Sequence, residues 1–348
     1  MSEARGWRLI QPVFSLQSPI SNLQSPISNP QSPIPKDSYM TRYKIIVNPI
    51  SGRGTGEASI PRIEQILGAA GLDFDLVRTE RPWHAAELAQ QAVTDGFDVI
   101  VSAAGDGTAN EIINGLMRAK EAGIGTAAMA VLTVGRGNDF AFSMGIPAGL
   151  EAACQTLVRD HRRSIDIGRV TGGLYPAGRY FGNGVGVGFD AVVGFEALKM
   201  KRLHGFASYI VAALKTIFLY FKAPQVRVEY NGESITLPAL MVSIMNGRRM
   251  GGGFMMAPQG LSDDGVLDLI IAREVSRPQI FALVGRFMQG TQASHAAIQT
   301  AQAQHVTVTA VEGVLPAHAD GETLCTEGTE LTIELLPRQI ELICDPLE

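Results

Sequence analysis

Gly105, Asp106 and Gly107 stand where the apolar run Val99–Val101 gives way to a second apolar series at Ile112, Ile113, Leu116 and Met117. The first run has the character of a buried strand, and the second the spacing of one helix face. Thr108 and Glu111 have capping-box spacing, with the hydroxyl expected to bond the Glu111 amide and the carboxylate to reach back. Such a junction points unpaired N–H groups and the positive end of a helix dipole at a spot that glycine keeps open, which makes a phosphate cradle. Asp106 repels a phosphate unless it bonds a hydroxyl, a water or a cation, so it points to a nucleotide with Mg²⁺. The plainer reading is a tight Asp-Gly turn between strand and helix.

The elements that must position this turn follow from the rest of the chain. With 348 residues, 46% of them hydrophobic and 18% charged, the sequence can fill two domains with substantial cores. A formal charge of -5 argues against a nucleic-acid backbone as the main partner. Cys154, Cys325 and Cys344 are widely spaced and lack CxxC partners, so neither a disulfide framework nor a zinc site is indicated and a reducing cytoplasm fits. Residues 1–39 carry LQSPISN twice, then PQSPIPK, a low-complexity segment expected to be disordered and unlike a signal or transit peptide. Met40 immediately precedes the first strand, and translation is expected to start there.

From Tyr43, strand and helix alternate: strands at Tyr43–Val47, Phe74–Val77, Val99–Val101 and Ala127–Leu132, with helices around Ile60–Leu67, Trp83–Val93 and Ile112–Met117. Three strands end in glycine- or turn-rich loops (48–56, 104–108 and 135–138), as in an open α/β sheet that binds ligands at its strand ends. SGRGTG lacks the Walker lysine and its glycines miss the dinucleotide fingerprint spacing, so both of those phosphate motifs are excluded. Beyond Arg163 the pattern changes to short strands, at Ile165–Val170, Tyr180–Gly188, Val226–Tyr230, Leu240–Met245, Val266–Ala272, His305–Val311 and Leu331–Leu336, suggesting an antiparallel sandwich. The expected organisation is an α/β domain over 40–163 and a β-sandwich domain over 164–348, with the C-terminal tail returning to the first domain. The apolar stretch 205–221 is short and contains Lys215, which fits a buried or interfacial helix better than a spanning one.

NPISGRG (48–54), AGDGTANEIING (104–115), GRGNDFA (135–141), FGNGVGVGFDA (181–191), GGGFMMAPQGLSDDGVLDL (251–269) and HADGE (318–322) occur in an order that resembles the bacterial diacylglycerol kinase-like lipid kinases. That soluble family is similar to sphingosine kinases and more distantly to NAD kinases and phosphofructokinases. The resemblance spans Tyr43 to the C-terminus. It implies an open α/β nucleotide-binding domain followed by a β-sandwich, with the active site in the cleft between them.

The resemblance further implies that ATP contacts fall on Asn48, Thr79, Ala104, Gly105, Asp106, Gly107, Thr108, Asn110, Gly135, Arg136, Asn138 and Asp139. Asp320 becomes the general base, with Glu322 the family's glutamate, and residues two apart on a strand would turn both carboxylates to one face. Without the resemblance, Asp320-Gly321 reads as a hairpin turn. A structural Mg²⁺ is implied at Asp264 with the carbonyls of Leu261 and Val266, an oxygen-only set suited to a hard cation; Asp263-Asp264-Gly265 by itself reads as a solvated turn. Three residues depart from the family pattern: Ala104 replaces a glycine, Thr133 a proline, and Arg136 the threonine of a GTGND loop. Ala104 is tolerable if its φ stays negative, and Arg136 is expected to meet ATP phosphates.

His318 can orient Asp320 or be an ordinary strand histidine. Lys199, Lys201, Arg202 and His204 form either a solvated face or a patch for anionic lipid headgroups, and neutralising all four tests this by vesicle binding. The expected function is transfer of the γ-phosphate of ATP, with Mg²⁺, to a lipid hydroxyl of the diacylglycerol type. The enzyme would be cytoplasmic and peripheral to the inner membrane face, without a transmembrane segment, and a homodimer is the prior. Phosphatidylglycerol, sphingoid-base and polyprenol acceptors, NAD as a soluble acceptor, and a nucleotide- and lipid-binding module without turnover are the alternatives.

Overall fold

The computed structural model describes residues 40–198, 211, 212, 215 and 223–346. The repeat in 1–39, the cluster Lys199, Lys201, Arg202 and His204, and most of the apolar stretch 205–221 lie outside the described residues.

Strands β1 (Arg42–Val47), β2 (Asp73–Arg78), β3 (Val99–Ala104) and β4 (Ala128–Thr133) form a parallel sheet in the order β2-β1-β3-β4. Helices α1 (Thr55–Ala69), α2 (His84–Thr94), α3 (Asp106–Glu121), α4 (Asp139–Ser143) and α5 (Leu150–Arg159) alternate with or follow these strands. β3 and β4 are buried along their whole length, which is why their sequences are unbroken apolar or small residues rather than alternating ones.

β5 (Arg162–Gly172), β6 (Tyr175–Phe181) and β7 (Gly184–Gly188) lead into α6 (Phe189–Leu198), so the single strand expected over Tyr180–Gly188 is broken at Gly182 and Asn183. β8 (Gln225–Tyr230), β9 (Glu233–Met245), the short β10 (Arg249–Met250) and β11 (Phe254–Met255), and β12 (Leu267–Arg273) come next. After α7 (Arg277–Gln289) the chain ends with β13 (Ile298–Ala303), β14 (His305–Glu312), β15 (Leu315–Ala319), β16 (Glu322–Gly328) and β17 (Glu330–Ile343). β9 pairs with β8 up to Pro238 and with β12 and β7 from Ala239 onward, so one long strand serves both sheets of the sandwich. Phe181, Val228, Val242, Ile271, Leu324 and Ile333 belong to the core cluster of this part of the chain.

β17 joins the two halves. Leu331–Leu336 pair with β5, a bulge follows, and Ile340–Ile343 resume the pairing while Leu342 lies parallel to Met129 of β4. Asp166, fully buried on β5, closes that bulge: its carboxylate accepts the Arg338 N–H at 2.7 Å and the Gly265 N–H at 2.8 Å. Replacement by alanine leaves two inward-facing amides unpaired. Asp166→Ala should therefore lose about 3 kcal/mol of stability, read as a lower urea midpoint at unchanged slope; an unaltered midpoint would show that the bulge does not depend on this carboxylate.

The helix caps differ from expectation. α3 starts at Asp106 with Gly105 as its N-cap, and Glu111 reaches across to accept the Trp83 and Ala85 amides at 2.8 and 3.1 Å instead of turning back on its own helix. Thr108 instead accepts from Asn48 Nδ2 at 3.1 Å. The two free amides beside Trp83 at the start of α2 outcompete the local box. A reciprocal capping box does form at Ser276 and Gln279, at the start of α7.

Candidate active site

The end of β3 and the end of β4 bring their two glycine loops into backbone contact. A Cβ added to Gly135 would lie 2.4 Å from Gly105 Cα, so no larger residue fits at this crossing. The Gly135 N–H donates to the Ala104 carbonyl at 3.1 Å, Asn138 Nδ2 donates back to Gly135 O at 3.0 Å, and Ala104 itself is absent from the residues with positive φ. Asp106 turns one carboxylate oxygen to the Phe140 N–H at 2.9 Å, which fixes the second loop to the start of α3. Helix α3 thus presents its N-terminal N–H groups beside two glycine loops, as anion binding requires.

Asp139 is not directed only at a ligand. Its carboxylate accepts from Arg249 Nε and the Gly252 N–H, each at 2.7 Å, and Arg249 also donates to the Gly137 carbonyl at 2.9 Å. Burial and the nearby Asp106 charge push Asp139 up to about 6 despite these donors. Arg249 was not singled out by sequence reading, because nothing local marks a residue whose partner lies 110 positions earlier.

Asp320 and Gly321 form the two-residue turn between β15 and β16, with φ of +48° and +84°, and Ala319 pairs with Glu322. Asp320 lies in the hairpin turn itself and only Glu322 on a strand, so the two are not strand neighbours as expected, although both carboxylates line the same cavity. Asp320 nevertheless points inward. Its two oxygens accept the N–H groups of Gly182, Asn183 and Gly184 at 2.8, 3.0 and 2.9 Å and Asn110 Nδ2 at 2.8 Å. The break between β6 and β7 supplies these amides, since Gly182 and Asn183 turn away from the sheet. Burial raises the Asp320 pKa above the ordinary aspartate value, while the donors act the other way. Glu322 faces the first turn of α3, 3.2 Å from where a Cβ on Gly107 would stand.

One cavity of about 440 Å³ connects these groups. Gly105, Asp106, Gly107, Gly135, Arg136 and Asp139 bound its polar end with Asp320 and Glu322, whereas Phe189, Val193, Met241, Met250, Phe254 and Phe287 line an apolar end. Arg136 is exposed and, among the described residues, has no hydrogen bond or ion pair within the protein. Asn48, Thr108, Asn110 and Asn138 stand behind the lining and brace it. Thr79 is not brought to the cavity wall; its N–H continues the β1–β2 edge by donating to Val47 O at 2.8 Å. Leu261, Asp264 and Val266 form a separate turn in which Asp264 accepts the Val266 N–H at 3.1 Å.

Asp190 also lines the cavity and escaped sequence reading, although it follows the glycine-alternating strand in FGNGVGVGFDA. Its carboxylate accepts from Ser243 Oγ at 3.1 Å and burial pushes it up to about 7. A Cβ on Gly186 would lie 2.2 Å from Asp190 Oδ2 and 2.6 Å from His318 Nε2, so the glycine makes room for both side chains. His318 Nδ1 accepts the Gly321 N–H at 3.3 Å, which requires an unprotonated Nδ1, and burial pushes its pKa down to about 4. The unfolded chain binds this proton near 6.5 and the folded chain only near 4, so stability should fall as pH drops through that window, by up to about 3 kcal/mol. His318→Gln should flatten this dependence in urea melts between pH 7 and pH 4.5, and an identical pH profile would contradict the assignment.

The sequence matches two family models in chain order: the diacylglycerol kinase catalytic domain over residues 42–170, and a YegS C-terminal, NAD kinase β-sandwich-like domain over 183–344. A Bacillus subtilis (strain 168) diacylglycerol kinase is 28% identical over 285 residues, covering 81% of this chain and 90% of that protein. One from Staphylococcus saprophyticus is 26% identical over 282 residues, covering 81% and 88%. The crystal structure of a diacylglycerol kinase from Bacillus anthracis str. Sterne superposes with a TM-score of 0.67 at 21% identity, covering 89% of this chain and 98% of that one, which establishes the common fold. With both models matched in order along nearly the whole described chain, the protein belongs to the diacylglycerol kinase-like family of lipid kinases.

Proposed function

We propose that this lipid kinase transfers the γ-phosphate of ATP, in the presence of Mg²⁺, to the hydroxyl of a diacylglycerol-type acceptor. The observation that carries this reading is a part-buried, amide-held carboxylate, Asp320, that lines one cavity together with the glycine loops and a set of apolar side chains. The phosphates of ATP meet the N-terminal amides of α3 and the Gly105 and Gly135 loops, and Arg136 pairs with them from the rim. The acyl chains occupy the end lined by Phe189, Met241 and Phe287. That lining disfavours NAD as acceptor, since its ribose and phosphate groups would face hydrocarbon.

Asp320 takes the proton of the acceptor hydroxyl as that oxygen attacks the γ-phosphorus and the bond to the β-phosphate bridging oxygen breaks, releasing ADP. Its raised pKa brings it nearer to that of a useful base, and the three backbone amides aim it without moving. Glu322 bounds the phosphate end beside Gly107. Mg²⁺ bound with ATP supplies charge neutralisation, and the Asp106 oxygen directed toward Gly137 is an oxygen donor of the right kind for it.

The Asp264 turn fits a second, structural Mg²⁺ in its chemistry. Burial, with the charges of Asp166 and Asp263, raises the Asp264 pKa, an excess of negative charge that a cation relieves. Among the described residues no group of three or more His, Cys, Asp or Glu side chains is close enough to hold a metal, so the carbonyls of Leu261 and Val266 would have to complete the set. Among the described residues no helix is long and apolar enough to cross a membrane. A lipid acceptor and ATP together put the working enzyme at the cytoplasmic membrane face.

The test is transfer of label from γ-labelled ATP with Mg²⁺ to diacylglycerol, phosphatidylglycerol, sphingoid-base and polyprenol alcohols in mixed micelles, with NAD as the soluble control. Label should enter diacylglycerol, and Asp320→Asn should lower kcat by about a thousandfold with little change in the KM for ATP. Label in NAD alone, or full turnover by Asp320→Asn, would overturn the reading. Arg136→Thr should raise the KM for ATP several-fold, and an unchanged KM would remove Arg136 from the phosphate contacts.

A further inference from the structure

Arg179, on β6, is 2% exposed and does not line the cavity, yet Asn110 links it to Asp320 through two hydrogen bonds. Its Nη2 donates to Asn110 Oδ1 at 2.7 Å and its Nη1 to the Tyr175 hydroxyl at 2.6 Å. The guanidinium carbon lies 4.7 Å from the centre of the Trp83 ring and 4.9 Å from that of Tyr175, so two aromatic faces hold the charge in place. Nε is buried without a partner. A buried arginine that has no ion pair among the described residues, and an orphaned Nε, is costly to keep, and packing alone would be served by an apolar residue.

The chemistry of Asn110 gives this charge a task. A guanidinium has only donors, so the Asn110 atom it meets must be the amide oxygen, and the amide nitrogen is then turned toward Asp320 Oδ2 at 2.8 Å and the Tyr180 carbonyl at 3.0 Å. A flipped amide would set its NH₂ against the guanidinium donors and its oxygen against the Asp320 carboxylate, donor facing donor and acceptor facing acceptor. Asn114 Nδ2 also reaches Asn110 Oδ1, but at 3.3 Å and without a charge. We propose that Arg179 is a positioning residue for phosphoryl transfer, locking the Asn110 amide in the one orientation that donates to Asp320. This inference rests on Asp320 being the base.

The groups around this relay are Glu111 on α3, His318 on β15, Glu322 on β16, and Tyr175 and Tyr180 on β6. Glu111 senses the charges of both Arg179 and Glu322, and His318 is neutral above its low pKa. Donation from Asn110 stabilises ionised Asp320, so losing it raises the pH at which the base becomes competent. The acid limb of the kcat profile should move to higher pH.

The experiment compares the full chain with Arg179→Met, Arg179→Lys, Asn110→Ala and the Asn110→Ala/Arg179→Met double variant, using labelled ATP and diacylglycerol micelles from pH 5.5 to 9. Arg179→Met should lower kcat by about ten- to a hundredfold, shift the acid limb upward and leave the KM for ATP within about twofold. In the Asn110→Ala background the Arg179 change should add nothing further. Arg179→Lys keeps the charge but cannot bond Asn110 and Tyr175 together, and it should fall between wild type and Arg179→Met. An unmoved acid limb in Arg179→Met, or effects that multiply in the double variant, would overturn the proposal. So would failure of both Arg179 variants to fold, which would make the residue a scaffold element. Full turnover by Asp320→Asn would instead overturn the base assignment, leaving the two failures distinct.

Discussion

Asp320 is held by three consecutive backbone amides, those of Gly182, Asn183 and Gly184, and this bond set is the constraint on which the cleft depends. A carboxylate taken out of water needs donors or a counter-charge. Here the donors come from interrupting a strand: β6 stops at Phe181, β7 begins at Gly184, and the residues between them are free of the ladder. The hairpin turn at Asp320-Gly321 is reciprocally tied, because the Asp320 N–H donates to Gly184 O at 3.0 Å. Breaking the strand and turning the hairpin are two halves of one arrangement. Neither would leave satisfied polar groups without the other.

Around this point the two halves of the chain are joined by polar clasps as well as by β17. Asp139 holds Arg249 and Gly252, and Ser143 Oγ donates to Asn183 Oδ1 at 2.8 Å and accepts the Arg248 N–H at 3.0 Å. Asn183 in turn donates to Arg249 O at 2.6 Å. The second glycine loop, the amides that hold Asp320 and the β10 segment are thereby one hydrogen-bonded body. The separation between the glycine loops and Asp320 is set by the fold, so under the proposed reading transfer needs only the substrates to be brought to fixed groups.

Much of this was legible in the sequence. The unbroken apolar or small-residue runs of β3 and β4 announce strands covered on both faces, and the glycine turns after them mark where a ligand can approach. The alternating strands beyond Arg163 announce the sandwich. What failed did so for nonlocal reasons: Glu111 left its local box for amides beside Trp83, and Tyr180–Gly188 reads as one strand because nothing nearby reveals the carboxylate of Asp320 more than 130 positions later. Arg179 and Arg249 carry no motif of their own, and Asp190 lies within FGNGVGVGFDA without any local feature that marks it as a site residue. Arg179 acquires its meaning from Asn110, 69 positions earlier, and Arg249 from Asp139, so a single sequence read locally has no means of marking them. The Asp-Gly pair at 320–321 is instructive in another way, since the hairpin reading and the functional reading describe the same two residues.

The most direct test of the proposal that the amide-held Asp320 acts as base is the ionisation state of its own carboxyl group. Carbon-13 NMR titration of aspartate-labelled enzyme, with the Asp320 signal identified by its loss in Asp320→Asn, reads this without relying on turnover. The predicted result is a carboxyl that titrates above the ordinary aspartate value and is ionised at the pH where phosphate transfer is fastest. A carboxyl that stays protonated across the active pH range would contradict the account.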